Sequence, residues 1–228
     1  MRWGMADVLI ALLLALIVPT LVLGAMLSAG LPRDGAAILL GSAVLPWLGF
    51  GLWPWLTTKL QGNGARIDLG FAFRPIDLAW GALGGALCLV LGTIAAEITQ
   101  RLFGDFGSAA GDAVSSADVA DWVIVAFALA ALIGAPLFEE LCFRGLAFAA
   151  VARWTSARGL PAVPWATVVS ALLFTLIHFE PVRFGVLLTI GLVLSWLRAR
   201  TGRVGASVIA HALNNLWGVL GILALLGS

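Results

Sequence analysis

A chain of 228 residues that is 61% hydrophobic and 11% charged, with a mean hydropathy of +1.06, has the composition of a membrane protein and not of a soluble domain. Its net charge of +1 gives no electrostatic reason to expect a nucleic-acid partner. The cysteines Cys88 and Cys142 both sit in apolar stretches, which excludes a disulfide framework and a spaced thiolate zinc site.

Seven apolar stretches follow in chain order. They are Ala6–Leu27, Ala36–Leu56, Ile76–Ile98, Trp122–Ala152, Val163–His178, Phe184–Leu197 and Val204–Leu226. The predicted fold is therefore an all-α, polytopic transmembrane helix bundle of about seven (seven to eight) spans. The uncharged runs Val8–Pro32, Gly35–Thr58 and Leu78–Ala96 each exceed the roughly 18 residues that mark a spanning candidate. The first stretch is longer than the usual 7–15-residue core of a signal peptide, so a retained first helix is expected. The fourth carries Pro136, which predicts a kink or tilt. The sixth is short. Residues 1–121 are expected to form N-terminal transmembrane helices and loops, packed as one membrane domain with 122–226, the part that the family resemblance given below implies is the catalytic domain.

Loop charges set an expected orientation. Arg2, Lys59, Arg66, Arg74, Arg153, Arg158, Arg198, Arg200 and Arg203 fall on one side, and only Arg33, Arg101 and Arg183 on the other. That asymmetry places the N-terminus in the cytoplasm and the C-terminus outside, in a cell (inner) membrane. Trp53, Trp55, Trp80, Trp122, Trp154, Trp165 and Trp196 fall near predicted ends, as an interfacial belt should.

Polar residues inside apolar segments are costly and mark functional sites by default. Three constellations stand out. In Glu139-Glu140-Leu141-Cys142-Phe143-Arg144, Glu140 and Arg144 are i and i+4, in the favourable order for an ion pair. Glu139 points about 100° away from its neighbour and lacks a local partner. In Phe174…His178, the phenyl ring lies one turn before the imidazole and can fix its rotamer. In His211…Asn215, the same spacing lets both side chains enter one cavity, with Asn214 a weaker contender. Each has a plainer explanation: a structural ion pair for Glu140 and Arg144, an inert helix-end histidine for His178, and interhelical hydrogen bonding for the asparagines. Depth argues for a shared site. At 1.5 Å per residue, Glu139, His178 and Asn215 lie roughly 21, 22 and 18 Å from the inner ends of their segments, and His211 about 12 Å.

Together the three motifs, E-E-x-x-x-R, F-x-x-x-H and H-x-x-x-N in that order, resemble the CAAX protease and bacteriocin-processing (CPBP, or Abi) family of glutamic intramembrane proteases. The match runs from Glu139 to Asn215. The resemblance implies a metal-independent intramembrane endopeptidase without a cofactor. Glu139, helped by His178, would bind and deprotonate a water. His211 and Asn215 would donate to the developing oxyanion, where each such donor contributes roughly 3–4 kcal/mol. Glu140, held by Arg144, would position the first carboxylate or the substrate, and Phe174 would support His178. Membrane lipids and a membrane-associated peptide or protein, CAAX-like and prenylated or a leader peptide, are the implied partners. Cys142 lacks an adjacent base and reads as an apolar filler. Zinc is a minority mechanism, since the spacing is not H-E-x-x-H. Two further readings stay open: a non-catalytic membrane scaffold or bacteriocin self-immunity protein, and a proton or ion pathway.

Overall fold

The structure is a computed structural model that describes residues 2–224 and 226. Among these residues it is all helix, without a strand. The main helices are α1 (Met5–Ser28), α2 (Ala36–Gln61), α3 (Ile76–Phe103), α4 (Ala109–Ser115), α5 (Asp121–Ser156), α6 (Ala162–Leu176), α7 (Phe184–Thr201) and α8 (Gly205–Leu223). Six of them are long and apolar enough to cross a bilayer; α6, with 15 residues, is a shorter apolar helix. Each expected span is thus met by a helix, six of them long enough to cross, and the protein is a multi-pass membrane protein. Leu225, within the last expected span, and Met1, within the first expected domain, lie outside the described residues.

The outer surface is apolar, as lipid contact requires. Leu9, Leu21, Leu78, Val90 and Leu102 are all exposed. The interior is joined through close helix contacts. One core gathers Val8 and Ala11 of α1, Phe50 of α2, Phe143 and Leu146 of α5, Phe174 of α6 and Leu187 of α7. It therefore crosses the boundary between residues 1–121 and 122–226. A second core joins Cys88 of α3 to Leu194 and Leu197 of α7 and Ala206 and Ala210 of α8. Glycines let these backbones approach. A Cβ on Gly84 would lie 2.3 Å from Leu197 Cδ1, and one on Gly49 would lie 2.2 Å from the Ala11 carbonyl and 2.4 Å from the Ala15 nitrogen. Gly49→Ala must therefore shift backbone, and it is expected to cost about 1–3 kcal/mol. Gly24→Ala, where nothing lies within 4 Å, should leave stability unchanged or raised. Thermal unfolding of both variants in detergent checks this.

Three wide, π-helical turns interrupt the long helices: Leu48–Leu52 in α2, and Ala130–Gly134 and Leu141–Ala147 in α5. Two have a proline cause. A proline lacks an N–H and collides with the carbonyl four residues earlier. For Pro54 that carbonyl is Phe50's, and for Pro136 it is Leu132's, both inside a wide turn. The kink expected at Pro136 is resolved as this local widening. The third turn has no proline. Its freed carbonyls are taken by side chains: Ser170 donates to Phe143 at 2.8 Å, and Arg198 Nε to Arg144 at 2.8 Å.

The basic-loop side is tied by polar contacts. Arg203 binds the fully buried Asp77 at 2.6 Å. Trp3 donates to Asp68 at 2.9 Å, under the Arg153 guanidinium. Most of the expected tryptophan belt is exposed, including Trp55, Trp122, Trp154 and Trp165. Trp53 departs from it: its indole nitrogen is buried.

Candidate active site

The seven predicted site residues surround one cavity of about 660 Å³, or lie directly behind its wall. Glu139, Phe174, His178, His211, Asn214 and Asn215 line it. Glu140 and Arg144 lie behind that lining, fully buried.

The wide turn at Leu141–Ala147 sets Arg144's position. Its guanidinium donates to Glu140 Oε1 at 2.7 Å, to the Gly191 carbonyl at 2.9 Å and to Ser195 Oγ at 3.4 Å. It also stacks on the Phe174 ring, 4.6 Å from the centroid. This is the i,i+4 pair that the spacing predicts, with two further partners on α7. Gly191 and Ser195 had no signal in the sequence: a backbone carbonyl and a common hydroxyl announce nothing about which helix packs opposite. Arg198 was legible only as a loop charge.

Glu140 Oε1 also accepts from His211 Nδ1, at 2.9 Å. A carboxylate can only accept here, so the hydrogen bond assigns the proton to Nδ1 and leaves Nε2 as the other ring nitrogen. His211 Nε2 stands 4.0 Å from Glu139 Oε2. A row of Arg144, Glu140, His211 and Glu139 therefore runs from the buried interior to the cavity. Glu139 Oε2 is buried and has no hydrogen-bond partner among the described residues. Glu140 Oε2 is likewise buried without a partner, but the two carboxylates differ in place: Glu140 is fixed through Oε1 by an arginine and a histidine, and only Glu139 faces the cavity.

His178 is not in a helix. It lies in the turn after α6. Leu176 ends that helix, two residues short of the span expected to close on His178. The next residue, Phe179, has a left-handed backbone at φ 53°, a conformation uncommon for a bulky side chain and worth notice near a site. His178 Nδ1 donates to the Phe174 carbonyl at 2.6 Å, and the Phe174 ring packs on the imidazole at 4.7 Å. That ring also meets His211 edge-on at 5.6 Å. Phe174 is therefore a shared wall for both imidazoles and the Arg144 guanidinium, a wider role than its i,i+4 relation to His178 suggested.

Asn215 is partly committed elsewhere. Its amide donates to the Ala131 carbonyl at 3.0 Å. The reason lies in the wide turn. Ala135 N–H bonds Ala130, five residues back, and the next donor in that register is Pro136, which has no N–H. Asn215 occupies the carbonyl that Pro136 leaves open. Asn214 donates to Asn215 Oδ1 at 3.4 Å. The asparagine's interhelical bond is real, and its amide keeps a second hydrogen.

Cys142 is fully buried, as an apolar filler should be. Among the described residues no cluster of three metal-ligating side chains occurs.

Residues 121–217 match the family described as type II CAAX prenyl endopeptidase Rce1-like. A Bacillus subtilis (strain 168) protein named "Putative membrane peptidase YdiL" is 24% identical over 158 residues, or 69% of this chain. The match covers 59% of that relative's length. No solved structure matches. The resemblance to the CAAX prenyl endopeptidase family is thus shown over 121–217, the stretch that supplies every candidate site residue.

Proposed function

We propose that the protein is an intramembrane endopeptidase of the glutamic type, cutting peptide bonds of membrane-anchored or lipid-modified proteins or of leader peptides. The observation that carries this reading is the unpartnered Glu139 Oε2, buried at the wall of a cavity and 4.0 Å from His211 Nε2. Both groups can hold one water at hydrogen-bonding distance. Peptide hydrolysis needs that water deprotonated and the carbonyl oxygen stabilised.

In this reading Glu139 takes the proton from water as it attacks the carbonyl carbon, with His178 closing the same cavity. The negative charge that develops on the carbonyl oxygen is met by the second amide hydrogen of Asn215, and by His211 when both its ring nitrogens carry protons, Nδ1–H on Glu140 and Nε2–H toward the cavity. Glu140, anchored by Arg144, holds the His211 ring in orientation. Glu139 then returns its proton to the leaving amine. A carboxylate supplies both steps, and the reading uses no metal or cofactor.

The protein is placed in the cell (inner) membrane with its N-terminus in the cytoplasm and its C-terminus outside. The basic residues of the α2–α3, α5–α6 and α7–α8 loops support this. Residues 122–226 form the catalytic part and 1–121 its membrane support. The non-catalytic scaffold reading draws on Asn215 and Glu140, both committed to structural bonds. It leaves the unpartnered oxygen of Glu139 without a purpose.

Comparative peptide profiling of membranes expressing wild type or Glu139→Ala tests the reading. New peptide termini are expected in wild-type membranes only. The same termini in both would refute it. Loss of cleavage in chelator, restored by added metal, would replace the glutamic mechanism by a metal one.

A further inference from the structure

The first arm of the hairpin that carries His178 is short for a membrane span. At 1.5 Å per residue, α6 extends about 22 Å, against a hydrocarbon core of about 30 Å. Its starting end adjoins Arg158, and α7 returns to Arg198, Arg200 and Arg203, all on the basic side. Measured along α6 from the basic side, the tip at 177–183 falls short of that thickness. An independent contact agrees. Phe179 and Pro181 of the tip share an apolar groove with Leu9, Leu12 and Leu16, which lie in the first half of α1 and not at its far end.

A depression is left above the tip, and the cavity occupies it. Most of the lining comes from the half opposite the basic loops, His211 of α8 excepted. α2 gives Ser42 and Ala43, near its start, and α8 gives Val219 and Ile222, near its end. The roof is the α3–α5 loop, where Ser108 and Ala110 line the cavity and the Ala109 amide donates to Glu180 of the tip at 3.3 Å. The tip's charges are paired, Arg183 to Glu180 at 2.5 Å, which suits a position short of the membrane surface. The opposite, basic face is tied by Asp77–Arg203 and Trp3–Asp68.

We infer that the cavity takes its substrate from the face opposite the basic loops: the bond cut belongs to an extended peptide segment presented at the extracytoplasmic leaflet. A cytoplasmic tail would reach the tied face and not the mouth. This rests on the orientation given under the proposed function and narrows the substrate class from any membrane-anchored peptide to one exposed outside.

Single cysteines test it, with the native Cys88 and Cys142 left in place because both are fully buried. Ser42→Cys and Ala110→Cys probe the mouth, and Arg66→Cys the basic face. The probe is a membrane-impermeant maleimide, applied to intact cells and to inverted membrane vesicles. Ser42→Cys and Ala110→Cys are expected to be labelled in intact cells, and Arg66→Cys only in inverted vesicles. Labelling of Arg66→Cys in intact cells overturns the inference. So does labelling of Ser42→Cys from the inverted side only, or from neither side. Labelling does not depend on cleavage, so a failure here leaves the hydrolase reading standing, and an inactive protein with the expected pattern leaves the mouth standing.

Discussion

Replacing Glu139 by glutamine is expected to lower peptide cleavage by about 10²–10⁴-fold, the usual contribution of a positioned general base, while stability changes by no more than about 0.5 kcal/mol. The combination follows from the site. Glu139 Oε2 has no hydrogen-bond partner to lose, and the side chain is 16% exposed at the cavity wall. An amide of the same shape fits there but cannot take a proton from water. Steady-state cleavage by purified protein and thermal unfolding in the same detergent check the two halves together. A variant that cuts at the wild-type rate would remove Glu139 from the chemistry. A variant that unfolds would make it a structural group.

Arg144→Ala is expected to do the opposite: to cost about 3–5 kcal/mol of stability, the range for breaking a buried ion pair from one side. The guanidinium is fully buried and holds three partners at once: Glu140, the Gly191 carbonyl and Ser195. Removing it strands the Glu140 charge and leaves a buried carbonyl on α7 without its donor. Arg144→Lys keeps the charge but not the planar fork, so it should fall between wild type and alanine. Thermal unfolding orders the three. Equal stability of wild type and Arg144→Ala would mean that the pair does not hold α5 against α7.

These two residues show what was legible in the sequence. The helices were, because apolar runs of this length have few other solutions. The pairing of Glu140 with Arg144 and the isolation of Glu139 were too, because both depend only on helical spacing. What crossed between helices was not. Helical spacing paired His211 with Asn215, whereas the folded chain gives His211 to Glu140 and Asn215 to the Ala131 carbonyl. The second of these has a sequence cause, the missing N–H of Pro136, but it surfaces only when α5 widens into a π-helical turn. The end of α6 was misjudged because Ile177 and His178 continue an apolar run, while the backbone turns there and enters a left-handed conformation at Phe179. That early turn matters. It puts His178 in the turn of the α6–α7 hairpin, where it lines the cavity.

The most direct test of the central claim is cleavage by the purified, reconstituted protein. Wild type and Glu139→Gln would be incubated with lipid-anchored peptides and the fragments read by mass spectrometry. Fragments released by wild type, and none by a Glu139→Gln protein of equal unfolding temperature, are the predicted result. The same fragments at the same rate from both would contradict the account.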